Sequence, residues 1–133
     1  MNFASRITRL PHAYEPEQGA DVLTATPWAT GDVAKLIHGA GGCSPYLKSL
    51  VEKEAAWLET ALDDPEQALL SEHADLRSTA PDALPSRLRQ AKRRVALFTA
   101  LADLAGVWPL AQVTGALTRF ADLATDAALK AEV

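Results

Sequence analysis

Thiols are nearly absent from this chain: Cys43 is the sole cysteine in 133 residues. One thiol excludes an internal disulfide and a multi-thiolate zinc site, and it suits a reducing compartment. Histidine is also sparse. His12, His38 and His73 lie far apart, and none stands in the His-x-x-x-His or Glu-x-x-His spacing of a helical metal site. Positive charge is in deficit, with 13 Lys and Arg against 17 Asp and Glu and a net charge of −4. That balance argues against non-specific nucleic-acid binding, which needs a basic footprint. Long apolar runs are missing too. The longest apolar region, 95–110, is interrupted by Thr99, Asp103, Gly106 and Pro109, well short of the roughly 18 residues of a membrane span. No continuous apolar segment follows Arg6 and Arg9, so no secretory leader is visible. The expectation is a cytoplasmic protein whose partners include neither nucleic acid nor membrane.

Catalytic constellations are lacking as well. Asp63 and Asp64 are adjacent carboxylates, but neighbours in sequence do not face each other on a helix. Asp64, directly before Pro65, reads as a helix cap. Cys43 has no local histidine to activate it. The segment Gly39-Ala40-Gly41-Gly42-Cys43-Ser44 precedes a helix but lacks the lysine of a phosphate-binding loop and the strand before it. It reads as a turn between helices. No catalytic, cofactor-binding or metal-binding residue is assigned.

What is present is helical periodicity. Hydrophobic residues make up 48% of the chain, enough for one modest core, and no segment alternates as a strand does. The fold class is all-α. Residues 1–30, punctuated by Pro11, Pro16 and Pro27, read as an irregular, partly extended arm, and 31–133 as one helical domain. Within the domain a short helix spans 31–38 and ends at the glycines. Ser44-Pro45 opens another, with a kink near Lys53, and Asp64-Pro65 opens the next.

The clearest pattern comes last. Leu84, Leu88, Ala91, Val95, Phe98, Ala102 and Ala105 recur at four- and three-residue steps, one stripe along a long helix. Gly106 stops it, and Pro109 opens a second helix with Leu110, Val113, Leu117, Phe120, Ala124 and Ala127 on its stripe. A connection this short makes the pair a long antiparallel helical hairpin. Asp103 sits at the unfavourable end of the first helix dipole. The reading is that its carboxylate reaches across the corner to accept from the free amides of Trp108, Leu110 or Ala111.

Arg87, Arg89, Lys92, Arg93 and Arg94 form a basic cluster on the first hairpin helix. It is either a solvated face with its aliphatic stems along the core edge or a candidate docking surface for an acidic partner domain or for nucleotide phosphates. Its place early in the helix, where positive charge opposes the macrodipole, slightly favours the second.

One ordered string of residues carries a family resemblance. It runs from Ser44-Pro45-Tyr46-Leu47 through Leu88-Arg89-Gln90-Ala91-Lys92-Arg93-Arg94-Val95-Ala96-Leu97. Then come Ala100-Leu101-Ala102-Asp103-Leu104-Ala105-Gly106-Val107-Trp108-Pro109-Leu110, Val113-Thr114, Ala116-Leu117-Thr118, Phe120-Ala121-Asp122 and Ala127-Ala128-Leu129. The string resembles the helical region before the first nucleotidyltransferase domain of the bifunctional glutamine synthetase adenylyltransferase/adenylyl-removing enzymes. It covers roughly residues 30–133 and is strongest over 86–129. The resemblance implies a nitrogen-control enzyme that attaches AMP to glutamine synthetase from ATP and removes it with phosphate. It also implies magnesium as the metal of both reactions, and glutamine and a PII signal protein as regulators. The catalytic signature of that family, Gly-Ser followed by Asp-x-Asp, occurs nowhere in this sequence. The chain is therefore expected to be a non-catalytic fragment whose partners are glutamine synthetase and the enzyme's own nucleotidyltransferase domain. The alternative is an autonomous helical protein-interaction module.

Overall fold

A computed structural model describes residues 2–131. Six α-helices follow a single 3-10 turn at Ala4–Arg6: α1 (Pro16–Leu23), α2 (Gly31–Cys43), α3 (Pro45–Ala61), α4 (Pro65–Ser78), α5 (Leu84–Leu104) and α6 (Leu110–Ala131). No strand occurs among the described residues. The architecture is all-α, as the periodicity required.

The capping signals act as their chemistry dictates. Ser44 accepts a hydrogen bond from the Leu47 amide at 3.2 Å, and Asp64 accepts from the Gln67 amide at 3.3 Å. Each side chain satisfies one of the orphan donors of its helix, with proline in the first turn. The bend of α3 falls at Glu54, whose φ of −115° and ψ of 23° interrupt the helix.

Two local expectations are overturned. The arm contains a helix, α1, started by Pro16. The glycines after His38 do not end α2, which runs on to Cys43 with Gly39, Gly41 and Gly42 buried inside it. Their bareness is used for contact: a Cβ on Gly39 would lie 2.2 Å from the carbonyl oxygen of Pro11. The arm and α1 approach α2 closely where it carries glycine: Pro11 at Gly39, Val22 at Gly41 and Ala13 at Gly42.

The arm is stitched across the ends of three helices. The Phe3 amide donates to Leu62 O at 2.9 Å, those of Thr8 and Arg9 to Ala105 O at 2.8 and 3.2 Å, and that of Glu15 to Gly42 O at 2.8 Å. Phe3 itself is fully buried. Its ring meets Phe98 edge-on at 5.5 Å, while Trp57 and Trp108 lie 6.0 and 5.8 Å from the same Phe98 ring. One aromatic from α5 thus gathers the arm, α3 and the hairpin corner around the centre of the core.

At that corner Gly106 adopts φ of +66°, a conformation that costs glycine little. The Val107 amide donates to Ala102 O at 2.9 Å and the Gly106 amide to Asp103 O at 3.1 Å, the paired bonds of a Schellman C-cap. The short link then returns α6 along α5 in the opposite direction. On α5 the expected stripe is buried except Leu88, which is half-buried; Leu97, Thr99 and Leu101 are buried as well because α2 and α3 cover a second face. On α6 the inward residues are Val113, Ala116 and Phe120, whereas Leu117 is 44% exposed. Its place in the expected stripe is taken by Ala116. Leu110 lies outside the residues whose side chains are described.

Candidate functional site

The structure divides the basic cluster of α5 by helical phase. Arg87 and Arg94 are seven residues apart, two turns on one face, and that face points at the acids of α3 and α4. Arg87 contacts Glu72 at 2.5 Å and Asp75 at 2.7 Å; Arg94 contacts Glu72 at 2.5 Å and Glu54 at 2.6 Å. Arg93 reaches Glu54 more loosely, at 3.4 Å. Glu54 and Glu72 are almost fully buried, each with 4% of its side chain exposed. Two buried carboxylates are thereby matched by guanidiniums whose planar forks suit paired contacts. Arg94 also lies over the Trp57 ring, 5.3 Å from its centroid, where the π-face favours a cation.

Burial works against the charge of Arg87, yet the Glu72 and Asp75 carboxylates outweigh it and its pKa is raised. The network ties α5 to both α3 and α4. It borders an open cleft of about 470 Å³, walled by Trp57, Asp64, Ser71, Glu72, Arg87 and Arg94. Arg89 and Lys92 point the other way and are exposed. The five basic residues thus comprise an internal clamp and a smaller outward pair. Sequence periodicity around the apolar stripe shows two flanks; it does not show that buried acids wait on one of them.

Asp103 does not serve the corner as expected. The Trp108 amide donates to Ala102 O at 3.3 Å, and among the described residues no corner amide donates to the Asp103 carboxylate. That carboxylate faces Arg9, 3.9 Å away, while Arg9 donates to the backbone carbonyls of Asp103 and Leu104 at 2.5 and 3.2 Å. The arm supplies the positive charge that the end of α5 lacks.

Among the described residues no three His, Cys, Asp or Glu side chains converge as metal ligands, and no helix is long and apolar enough to cross a membrane. The Cys43 thiol is free and donates to the His12 carbonyl.

Comparison with known proteins supplies what this geometry does not. The family model described as glutamate-ammonia ligase adenylyltransferase matches residues 33–133. The chain belongs to the glutamate-ammonia ligase adenylyltransferase family. It is similar to the bifunctional glutamine synthetase adenylyltransferase/adenylyl-removing enzyme of Caulobacter vibrioides, with 44% identity over 95% of this chain and 14% of that protein. The proteins of the same description from Bradyrhizobium sp. strain BTAi1 and Rhodopseudomonas palustris strain TIE-1 are 38% and 36% identical. They match 77% and 86% of this chain and 11% and 12% of their own lengths. The chain thus spans a small part of the adenylyltransferases it matches. No solved structure matches it. The family match includes α5, α6 and the clamp acids of α3 and α4, so the network described above lies inside the adenylyltransferase region.

Proposed function

We propose that this chain is a non-catalytic helical segment of a glutamine synthetase adenylyltransferase, serving to support and orient a nucleotidyltransferase domain or to help hold glutamine synthetase. The observation that carries this reading is the match of 95% of the chain to 14% of a bifunctional relative, in a sequence without the Gly-Ser…Asp-x-Asp signature. Phosphoryl and nucleotidyl transfer need positioned metal ions. On this reading ATP and magnesium belong to the rest of such an enzyme. A PII signal protein and glutamine act there as regulators, and the setting is the cytoplasm.

The outward pair Arg89 and Lys92 is the surface we assign to docking, with Arg93 at its edge. These residues are not committed to the clamp as Arg87 and Arg94 are. Acidic partner surfaces suit them, and such contacts weaken with salt. Two measurements test the reading. The purified chain is expected neither to attach nor to remove AMP; protein-dependent turnover overturns a non-catalytic role. Arg89→Glu with Lys92→Glu is expected to leave melting unchanged and to weaken binding to glutamine synthetase or to the catalytic remainder about tenfold at low salt. Equal binding by that variant removes the docking assignment.

A further inference from the structure

A second cleft shares no lining residue with the one beside the clamp and has a different chemistry. Its volume is about 530 Å³, and the arm, α1 and α2 wall it, a size within the range of small-molecule sites. Leu10, Pro11, Pro16 and Leu23 give it apolar walls, and its polar side chains are those of His12, Lys35 and His38. No aspartate or glutamate lines it, in a chain whose net charge is −4. Lys35 and the two histidines make no ion pair or side-chain hydrogen bond among the described residues. Asp32, one turn earlier on α2, does not line the cleft and does not pair with Lys35. By contrast Lys48, on the next helix, is paired with Asp21 at 2.6 Å.

The ring of His38 lies against Gly19 of α1: a Cβ there would be 3.0 Å from two of its carbons. Pro11 of the arm lies against Gly39, the next residue of α2. An apolar hollow rimmed by one permanent cation with no acid to neutralise it, and by two imidazoles that can hydrogen-bond, matches a ligand with an apolar body and an anionic group.

We propose that this cleft binds a small organic anion with an apolar body, its tail against Leu10, Pro16 and Leu23 and its anionic group beside Lys35 and His38. This assignment is independent of the docking surface on α5. The probe is octanoate, titrated into the 133-residue chain and followed by the amide and imidazole resonances in nuclear magnetic resonance spectra. Saturable shifts are expected at Leu23, Lys35 and His38, and none at Arg89 or Lys92. Octylammonium, with the same tail and the opposite charge, and acetate, with the charge and no tail, are expected to leave these resonances unmoved. Lys35→Glu replaces attraction by repulsion and is expected to weaken octanoate about tenfold. His38→Gln is expected to weaken it less. Lys53→Glu, at an exposed lysine of α3 that does not line the cleft, serves as the charge-matched control and is expected to bind as the parent does. Equal binding of octylammonium and octanoate overturns the proposal and leaves a plain apolar groove. Unaltered octanoate affinity in a folded Lys35→Glu variant overturns it as well, as does the absence of saturable shifts in the parent chain.

Discussion

At the scale of single residues, Phe98 and Gly39 show opposite ways of making a contact. Phe98 is completely buried and touches three other aromatic rings. Its truncation removes apolar area and leaves a cavity between the arm, α3 and the corner. Phe98→Ala is expected to cost about 3–5 kcal/mol, a large share of a small domain's stability, in urea or thermal melts. A melt that overlays the parent is incompatible with that central position. Gly39 works by having nothing to bury. Alanine in mid-helix is favoured over glycine by about 1 kcal/mol, so propensity alone predicts that Gly39→Ala stabilises α2. The added methyl, however, meets the backbone oxygen of Pro11 at 2.2 Å, and a backbone atom on a stitched arm does not step aside as a flexible side chain does. Overpacking typically costs about 1–3 kcal/mol, so the net effect expected is a lower melting temperature. A raised one means that the arm yields freely. The role of Phe98 was legible in the sequence because it sits on a periodic stripe. That of Gly39 was not, since a glycine pair beside a helix reads equally as a stop and as a contact surface until the opposing chain is placed.

Among elements, the decisive joint is the one by which α5 is fastened to α3 and α4. Glu72 is 4% exposed and receives both Arg87 and Arg94. Removing it leaves two largely buried guanidiniums, one relying on Asp75 and the other on Glu54. Breaking a buried ion pair at one partner costs about 3–5 kcal/mol, whereas replacing the pair by apolar groups is often neutral. Glu72→Ala is therefore expected to lose about that amount in a urea melt. Adding Arg87→Met to Glu72→Leu is expected to recover most of it, because Arg94 keeps Glu54. A Glu72→Ala variant within about 0.5 kcal/mol of the parent, as at an ordinary surface position, excludes the clamp as a structural joint. The helices themselves were readable: caps at Ser44 and Asp64, the glycine stop at Gly106, and the four-three stripe of α5 all reflect local rules. The second buried face of α5 and the inward turn of Ala116 in place of Leu117 depend on which neighbours cover a helix, and a single-helix period carries no such information. For the same reason the split of the basic cluster had to await the positions of Glu54, 39 and 40 residues from Arg93 and Arg94, and of Glu72, 15 and 22 residues from Arg87 and Arg94.

For the molecule as a whole, the arm is attached in part by charge, and that part depends on pH. Among the described residues it makes two charge contacts ahead of α1, of which the shorter is Arg6 with Glu66 on α4, a two-pronged pair at 2.7 and 2.8 Å. The Arg6 guanidinium pulls the Glu66 carboxyl from 4.5 down to about 2. A carboxyl whose pKa is lower in the folded state adds stability above its unfolded value and loses that contribution as pH falls toward the folded value. The window here runs from about 4.5 down to about 2. The glutamate side chain is 48% exposed, so screening by solvent limits the effect to about 1 kcal/mol or less. His73 acts in the same direction at higher pH. Burial, and then Arg77 and Arg119, lower its pKa below 6.5, so the folded state takes up its proton less readily than the unfolded chain and stability declines as pH falls through that range. The two are separable because only one of them holds the arm. Amide exchange at Phe3, which donates to Leu62 O, reports release of the arm, and exchange at Val95 in α5 reports global opening. Between pH 5 and about 3, after correction for intrinsic exchange, protection at Phe3 is expected to fall faster than protection at Val95. In an Arg6→Ala variant the Phe3 protection should already be reduced at pH 6, with the extra fall below pH 5 gone. Parallel losses at both amides in the parent mean that the arm opens only with the whole domain. In that case Phe3 and the backbone bonds at Leu62 and Ala105 hold the arm, and the Arg6–Glu66 pair is an exposed contact that adds nothing measurable to it.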